Sequence, residues 1–102
     1  MTLFTEIEAA KVEKASSMMR AIAHPLRLAI LGHLSDGEEC TVSEIHVLLN
    51  VGQSTASHHL GIMKDKGILV SRREGKNKIY RIKNPDLKKL VECISVCACE
   101  DE

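Results

Sequence analysis

From Leu3 to about Met19, apolar residues fall near helical spacing, at Phe4, Ile7, Ala10, Ala15, Met18 and Met19, with charged residues between them. This pattern predicts an amphipathic first helix. His24-Pro25 interrupts it, and proline suits the first turn of a new helix because its missing N–H would find no partner there. Leu26, Leu28, Ala29, Ile30, Leu31 and Leu34 follow as a strongly apolar second helix that stops at Ser35-Asp36-Gly37. Thr41-Val42-Ser43-Glu44 fits a capping box, in which the threonine hydroxyl and the glutamate three residues on satisfy each other's orphan amides. A third helix therefore starts near Val42, with Val42, Ile45, Leu48 and Leu49 as its apolar stripe and Asn50-Val51-Gly52 as its stop. A fourth opens near Gln53, turns Ala56, Leu60 and Met63 inward, and ends near Lys66-Gly67.

Beyond Gly67 the period changes from 3.6 to 2. Ile68 to Arg72 and Lys78 to Ile82 read as two β-runs around the Gly- and Asn-bearing turn Arg73-Glu74-Gly75-Lys76-Asn77. Asn84-Pro85-Asp86 then supplies an N-cap, a first-turn proline and an acid facing the positive end of a helix dipole. The last helix is expected to reach about Cys97, leaving Cys99 in a fraying tail. Two short helices joined by about four residues make a helix-turn-helix. With a hairpin after it, the whole reads as a mainly α winged helix-turn-helix with a small β-hairpin. The expected layout is one domain over 1–102, with the helix-turn-helix at 42–66 and the wing at 68–83.

The chain has 102 residues, 44% hydrophobic and 27% charged, so a single globular domain is expected. Phe4 and Tyr80 are its only aromatics and tryptophan is absent, which leaves an aliphatic and methionine-based core and argues against binding of single strands on aromatic platforms. Fourteen Lys and Arg balance fourteen Asp and Glu. That zero is a cancellation between regions. Residues 1–50 carry four basic and seven acidic groups (−3), residues 64–89 ten basic and three acidic (+7), and residues 90–102 four acidic (−4). The positive block covers the end of the fourth helix and the hairpin, the electrostatic footprint of phosphate contact beside a helix-turn-helix. Arg72, Arg73, Lys76 and Lys78 are the wing candidates. With Ala56, Leu60 and Met63 facing the core, Gln53, Ser54, Ser57 and His58 are left to enter a major groove, with Thr55 at the margin. His59 points nearer the core than His58, as a hydrogen-bonded structural imidazole or, alternatively, a metal or signalling residue.

No apolar run nears the roughly 20 residues of a membrane-spanning helix, and Met1 to Glu6 lacks a signal-peptide layout, so a cytoplasmic protein is expected. Cys40, Cys93, Cys97 and Cys99 are expected as reduced thiols rather than a disulfide scaffold, with Cys40 structural. No Ser-His-Asp, paired-carboxylate or phosphate-cradling glycine pattern points to an enzyme. The competing class is a protein-interaction module that uses the hairpin on another protein.

Three passages together resemble the ArsR/SmtB family of bacterial winged-helix repressors. They are Ala21-Ile22-Ala23-His24-Pro25-Leu26-Arg27-Leu28-Ala29-Ile30-Leu31, then Gln53-Ser54-Thr55-Ala56-Ser57-His58-His59-Leu60 with Lys66-Gly67-Ile68-Leu69, then Arg73-Glu74-Gly75-Lys76 leading to Tyr80. The resemblance implies a homodimer built from the first and last helices (1–20 and 85–99). It also implies binding to palindromic double-stranded operator DNA, and release by an inducer, most often a metal ion, a metalloid or an oxidising sulfur species. The family's inducer sites differ among members. The arsenic-type cysteines match Thr41 and Ser43, and the second-helix cysteine of thiol-sensing relatives matches Gly32, so neither site is present as such. The zinc-type site matches Asn84, Asp86, Cys97 and Glu100, of which Asp86, Cys97 and Glu100 have ligating side chains.

Asp86, Leu90, Cys93, Cys97 and Glu100 are spaced 4, 3, 4 and 3, on one helical stripe, with Leu87, Val91 and Ile94 beside it. If two copies of this helix pack antiparallel, Cys93 approaches its mate and Asp86 lies near the partner's Cys97. Thiols at Cys93, Cys97 and Cys99 suit a soft ion such as As(III), Cd(II) or Zn(II), or a redox switch. The other reading makes Cys93 and Cys97 small hydrophobes at the dimer seam, in a regulator without metal or thiol sensing.

Overall fold

The computed structural model describes residues 8–100, which form five helices and a three-stranded antiparallel sheet. The order is α1 (Ala9–Ile22), α2 (Pro25–Leu34), β1 (Cys40–Thr41), α3 (Val42–Leu49), α4 (Gln53–Asp65), β2 (Leu69–Glu74), β3 (Asn77–Ile82) and α5 (Pro85–Cys99). This is a winged helix-turn-helix.

Three of the five helices start on a side-chain cap. His24 Nδ1 accepts from the Leu26 amide at 3.1 Å, capping α2 ahead of Pro25. At α3 the capping box closes both ways: the Glu44 amide donates to Thr41 Oγ1 at 3.1 Å, and the Thr41 amide donates to Glu44 Oε1 at 2.8 Å. Asn84 Oδ1 accepts from the Asp86 amide at 2.9 Å and starts α5. The turn of the helix-turn-helix hinges on Asn50, whose φ of 56° is left-handed, a conformation that asparagine tolerates better than most residues.

The core gathers where α2, α3 and α4 meet the sheet. Ile30, Leu31 and Leu34 of α2, Ile45 of α3, and Leu60 and Met63 of α4 are fully enclosed. They are joined by Ile68, Leu69, Tyr80 and Ile82 from the wing side. Burying each large aliphatic side chain is worth about 1.5–3 kcal/mol. The end of α4 is stitched to the sheet, since the Ile68 amide donates to Met63 O at 2.9 Å and the Lys83 amide to Ile68 O at 3.0 Å.

Several details depart from the pattern-based expectation. Helix α1 runs to Ile22 rather than Met19, and the expected Phe4 and Ile7 positions lie outside the described residues. Leu48 is half exposed (51%) instead of completing the α3 stripe, and Leu28 and Ala29 of α2 also face outward. Helix α5 includes Cys99, so this thiol sits in the last helical turn and not in a tail. Strand β1 was not expected. Its two residues pair Cys40 with Tyr80 and Thr41 with Ile79, which makes the hairpin part of a three-stranded sheet of order β1-β3-β2.

Because Thr41 is both the end of β1 and the cap of α3, Thr41→Ala should lower stability by about 1 kcal/mol. Thr41→Ser should recover most of that loss. Urea unfolding of the three proteins checks this, and equal midpoints would contradict it.

Candidate nucleic-acid interface

Helix α4 has two faces of opposite character. Ala56, His59, Leu60 and Met63 are buried, while Gln53, Ser54, Thr55, Ser57 and His58 are all exposed. Gln53, Ser54, Ser57 and His58 line one shallow surface concavity, and Thr55 lies outside it. The N-cap is Gly52, which has no side chain to bond the first-turn amides, so these stay open to an acceptor such as a phosphate oxygen.

The hairpin lies beyond the end of α4. Its two-residue turn, Gly75-Lys76, has a left-handed φ only at Gly75 (64°), the II′ pattern that matches strand twist. Strand alternation splits the four wing candidates between faces. Arg73 and Lys78 are direct cross-strand partners on the face that carries Tyr80 and Ile82 into the core, whereas Arg72 shares the other face with Ile79. Lys78 is half-buried, its Nζ 5.9 Å from the centre of the Tyr80 ring, within cation–π range.

Arg72 is the exception among the wing cations. Its guanidinium donates to Glu39 Oε2 at 2.8 Å and to Glu74 Oε2 at 3.4 Å, and Arg81 lies 3.9 Å from the same Glu39 oxygen. The Arg72 hydrogen bond holds the Glu39 carboxyl below the usual range, and the Glu39 hydrogen bond raises Arg72 in return. Arg72 is thus already engaged by carboxylates, while Arg73 and Lys76 form no ion pair among the described residues. Glu39 was not legible beforehand, because its place beside β3 depends on a two-residue strand with no periodicity to detect.

His59 has the buried, hydrogen-bonded setting of a structural imidazole. It is 8% exposed, and its Nδ1 accepts from Arg27 Nε at 3.0 Å. Arg27 Nη1 donates to Ala21 O at 3.2 Å, so one side chain links α1, α2 and α4. The His24 ring stands 4.5 Å from that of His59. Burial, followed by the nearby His24, Arg27 and His58, lowers the His59 pKa. His24 is therefore both the cap of α2 and a neighbour to α4. Likewise His46 Nδ1 lies 3.2 Å from Val51 O.

The cysteines separate into two groups. Cys40 is in the core, where burial, then Glu44 and Glu38, push its thiol pKa up. Cys93, Cys97 and Cys99 are exposed on α5, as are Asp86 and Glu100. Within one protomer no three His, Cys, Asp or Glu side chains converge on a metal position among the described residues. Only Val91 of α5 is buried, and Leu90, Ile94 and Val96 are exposed. Helix α1 exposes Val12 and Met19. A groove of about 660 Å³ separates the two helices, with Met18, Leu87 and Leu90 among its lining residues. No helix among the described residues is long and apolar enough to cross a membrane.

Comparison with known proteins agrees with this architecture. A helix-turn-helix domain family matches residues 22–72. A biofilm growth-associated repressor from Agrobacterium fabrum is 32% identical over 92 residues, covering 90% of this chain and 78% of the relative. The transcriptional repressor PagR of Bacillus anthracis is 32% identical over 97 residues, covering 93% and 97%. A homodimeric winged helix-turn-helix DNA-binding domain from Mycobacterium bovis, described as a possible ArsR-family regulator, superposes with a TM-score of 0.83. It is 31% identical and covers 98% of this chain and 92% of that one. With a family match over half of its length and relatives above 30% identity along nearly all of it, the chain belongs to the ArsR/SmtB family of winged-helix transcriptional repressors.

Proposed function

We propose that the protein is a homodimeric repressor that reads double-stranded operator DNA with α4 and the wing, and releases it when thiols on α5 bind a thiophilic ion or are oxidised. The observation that carries the DNA reading is the polar face of α4: Gln53, Ser54, Thr55, Ser57 and His58 all exposed on a helix whose opposite side is sealed in the core. Gln bonds adenine edges in the major groove, and Ser and Thr bond several bases. Arg73, Lys76 and Lys78 supply phosphate contacts, with Arg72 a lesser one because Glu39 and Glu74 hold it. Arg73 directly opposite Lys78 supports this reading, since like charges facing across a hairpin cost stability that a phosphate between them would offset.

The exposed apolar residues of α1 and α5 are the dimer faces in this reading, and 42–66 and 68–83 the DNA-contacting units. Two copies place their recognition helices in successive major grooves about 34 Å apart. Sensing then belongs to the dimer. Among its described residues one protomer does not gather enough ligands, whereas α5 packed against its mate brings the stripe of Cys93 and Cys97, with Asp86 and Glu100, to a shared seam suited to As(III), Cd(II) or Zn(II), while Cys99, two residues past Cys97 in the same helix, lies on the other side. The ligand must bind one dimer geometry better than the other to change DNA affinity.

Three outcomes test this reading. Arg73→Ala should weaken binding to all duplexes alike and reduce the salt slope by about 1, with a smaller effect from Arg72→Ala. Gln53→Ala should relax preference at one base position by about 1–3 kcal/mol, read by competition among mutated operators. In gel shifts, As(III), Cd(II), Zn(II) or polysulfide should release DNA from the reduced dimer but not from Cys93→Ser or Cys97→Ser. If none of the four does so, the sensing claim fails and a regulator without metal or thiol sensing stands. If no duplex binds even at low salt, the protein-interaction class is favoured.

A further inference from the structure

The joint between α2 and the recognition helix is built from groups that work only in one protonation state. His59 Nδ1 is a hydrogen-bond acceptor for Arg27 Nε at 3.0 Å, so the ring must be the neutral tautomer with its proton on Nε2. His24 Nδ1 is likewise an acceptor, for the Leu26 amide that starts α2. The two rings stand 4.5 Å apart, and the His58 ring is 5.4 Å from that of His59. The charged or chargeable groups facing His59 are Arg27 and His24 from α2 and His58 from α4 itself; α1 contributes the Ala21 carbonyl, which Arg27 also holds. No carboxylate acts on His59 among the described residues.

A proton added at His59 Nδ1 meets the Arg27 N–H head on, removes the acceptor and sets a second positive charge beside the guanidinium. The buried ring has no anion to turn to, so the response is to leave its seat. His59 adjoins His58 on the exposed reading face and Leu60 in the core, so such a movement turns the helix that carries Ser54, Ser57 and His58. Resting on the DNA-reading role given above, we propose that Arg27 and His59, backed by His24, are positioning residues that set the orientation of the recognition helix, and that the repressor's grip on DNA requires neutral His59 and is lost on mild acidification.

The sign follows from linkage. The seated form holds the His59 pKa below its ordinary value near 6.5, so the displaced form binds more protons as pH falls through that value. Seating is fully favoured above about pH 6.5 and weakens below it. His58 is a second imidazole, on the exposed side of α4, so the measurement is made in a His58→Gln background.

The probe is a fluorescein-labelled duplex that the full-length dimer selects from a random pool at pH 7.5. Anisotropy titrations from pH 7.5 to 5.5 should show His58→Gln losing affinity, by up to about tenfold, with circular dichroism unchanged. Adding His59→Gln, whose amide oxygen accepts from Arg27 but does not titrate, should flatten the profile. Arg27→Lys keeps the charge but not the Nε donor, and should weaken binding at pH 7.5 and move the midpoint to higher pH. Should His59→Gln fail to fold, NMR titration of the imidazoles in the His58→Gln protein gives the same answer: the affinity loss should track His59. Affinity that is flat or rises on acidification, in a folded His58→Gln protein, overturns the proposal. Absence of any selected duplex at pH 7.5 overturns the DNA reading itself, and this inference with it.

Discussion

The burial of Ala56, Leu60 and Met63 is the constraint from which the rest of the molecule follows. Three enclosed positions on one side of a 13-residue helix confine it to a narrow range of rotation, because a larger turn would expose apolar surface and bury Ser57 or His58. Once α4 is set in this way, its polar residues have only one direction to face. The hydrogen bonds from Ile68 to Met63 and from Lys83 to Ile68 then carry that setting into the sheet, so the wing's position derives from the same core. A chain with one aromatic residue in its core does this with aliphatic packing and one methionine.

Electrostatics is arranged around that frame and does not create it. The positive segment gathers on the end of α4 and the wing, while acids concentrate in the first half of the chain and at its end. One of these acids is used structurally: Glu39 reaches across from the residue before β1 to Arg72 and Arg81. Such an exposed network contributes little to stability. Its effect is on availability, since it occupies two cations of the hairpin, Arg72 and Arg81, and leaves the outermost ones, Arg73 and Lys76, open.

Much of this was legible in the amino-acid pattern because the relevant signals are local. The capping box at Thr41, the Asn84 cap, the inward set on α4 and the hairpin turn each need only a few adjacent residues. The exposed polar residues of α4 followed from the inward set by subtraction. What was missed is long-range. Strand β1 is too short to show alternation, Glu39 meets Arg72 across 33 residues, and Arg27 meets His59 across 32. The outward turn of Leu48 shows a further limit, since an apolar residue at helical spacing does not by itself reveal which side its neighbours occupy. On α5, spacing places the thiols on a stripe but does not provide the second helix that such a stripe requires.

Helix α5 is joined to its own protomer by few side chains, Val91 buried and Leu87 partly so, out of fifteen residues. Exposed positions change at a cost usually within about 0.5 kcal/mol of folding stability. The outward surface of α5 is therefore open to evolutionary change almost independently of the core that holds α4. On the sensing role proposed for α5, a lineage could exchange thiols for imidazoles or carboxylates there, and so acquire a new chemical signal, while inheriting the core and α4 unchanged.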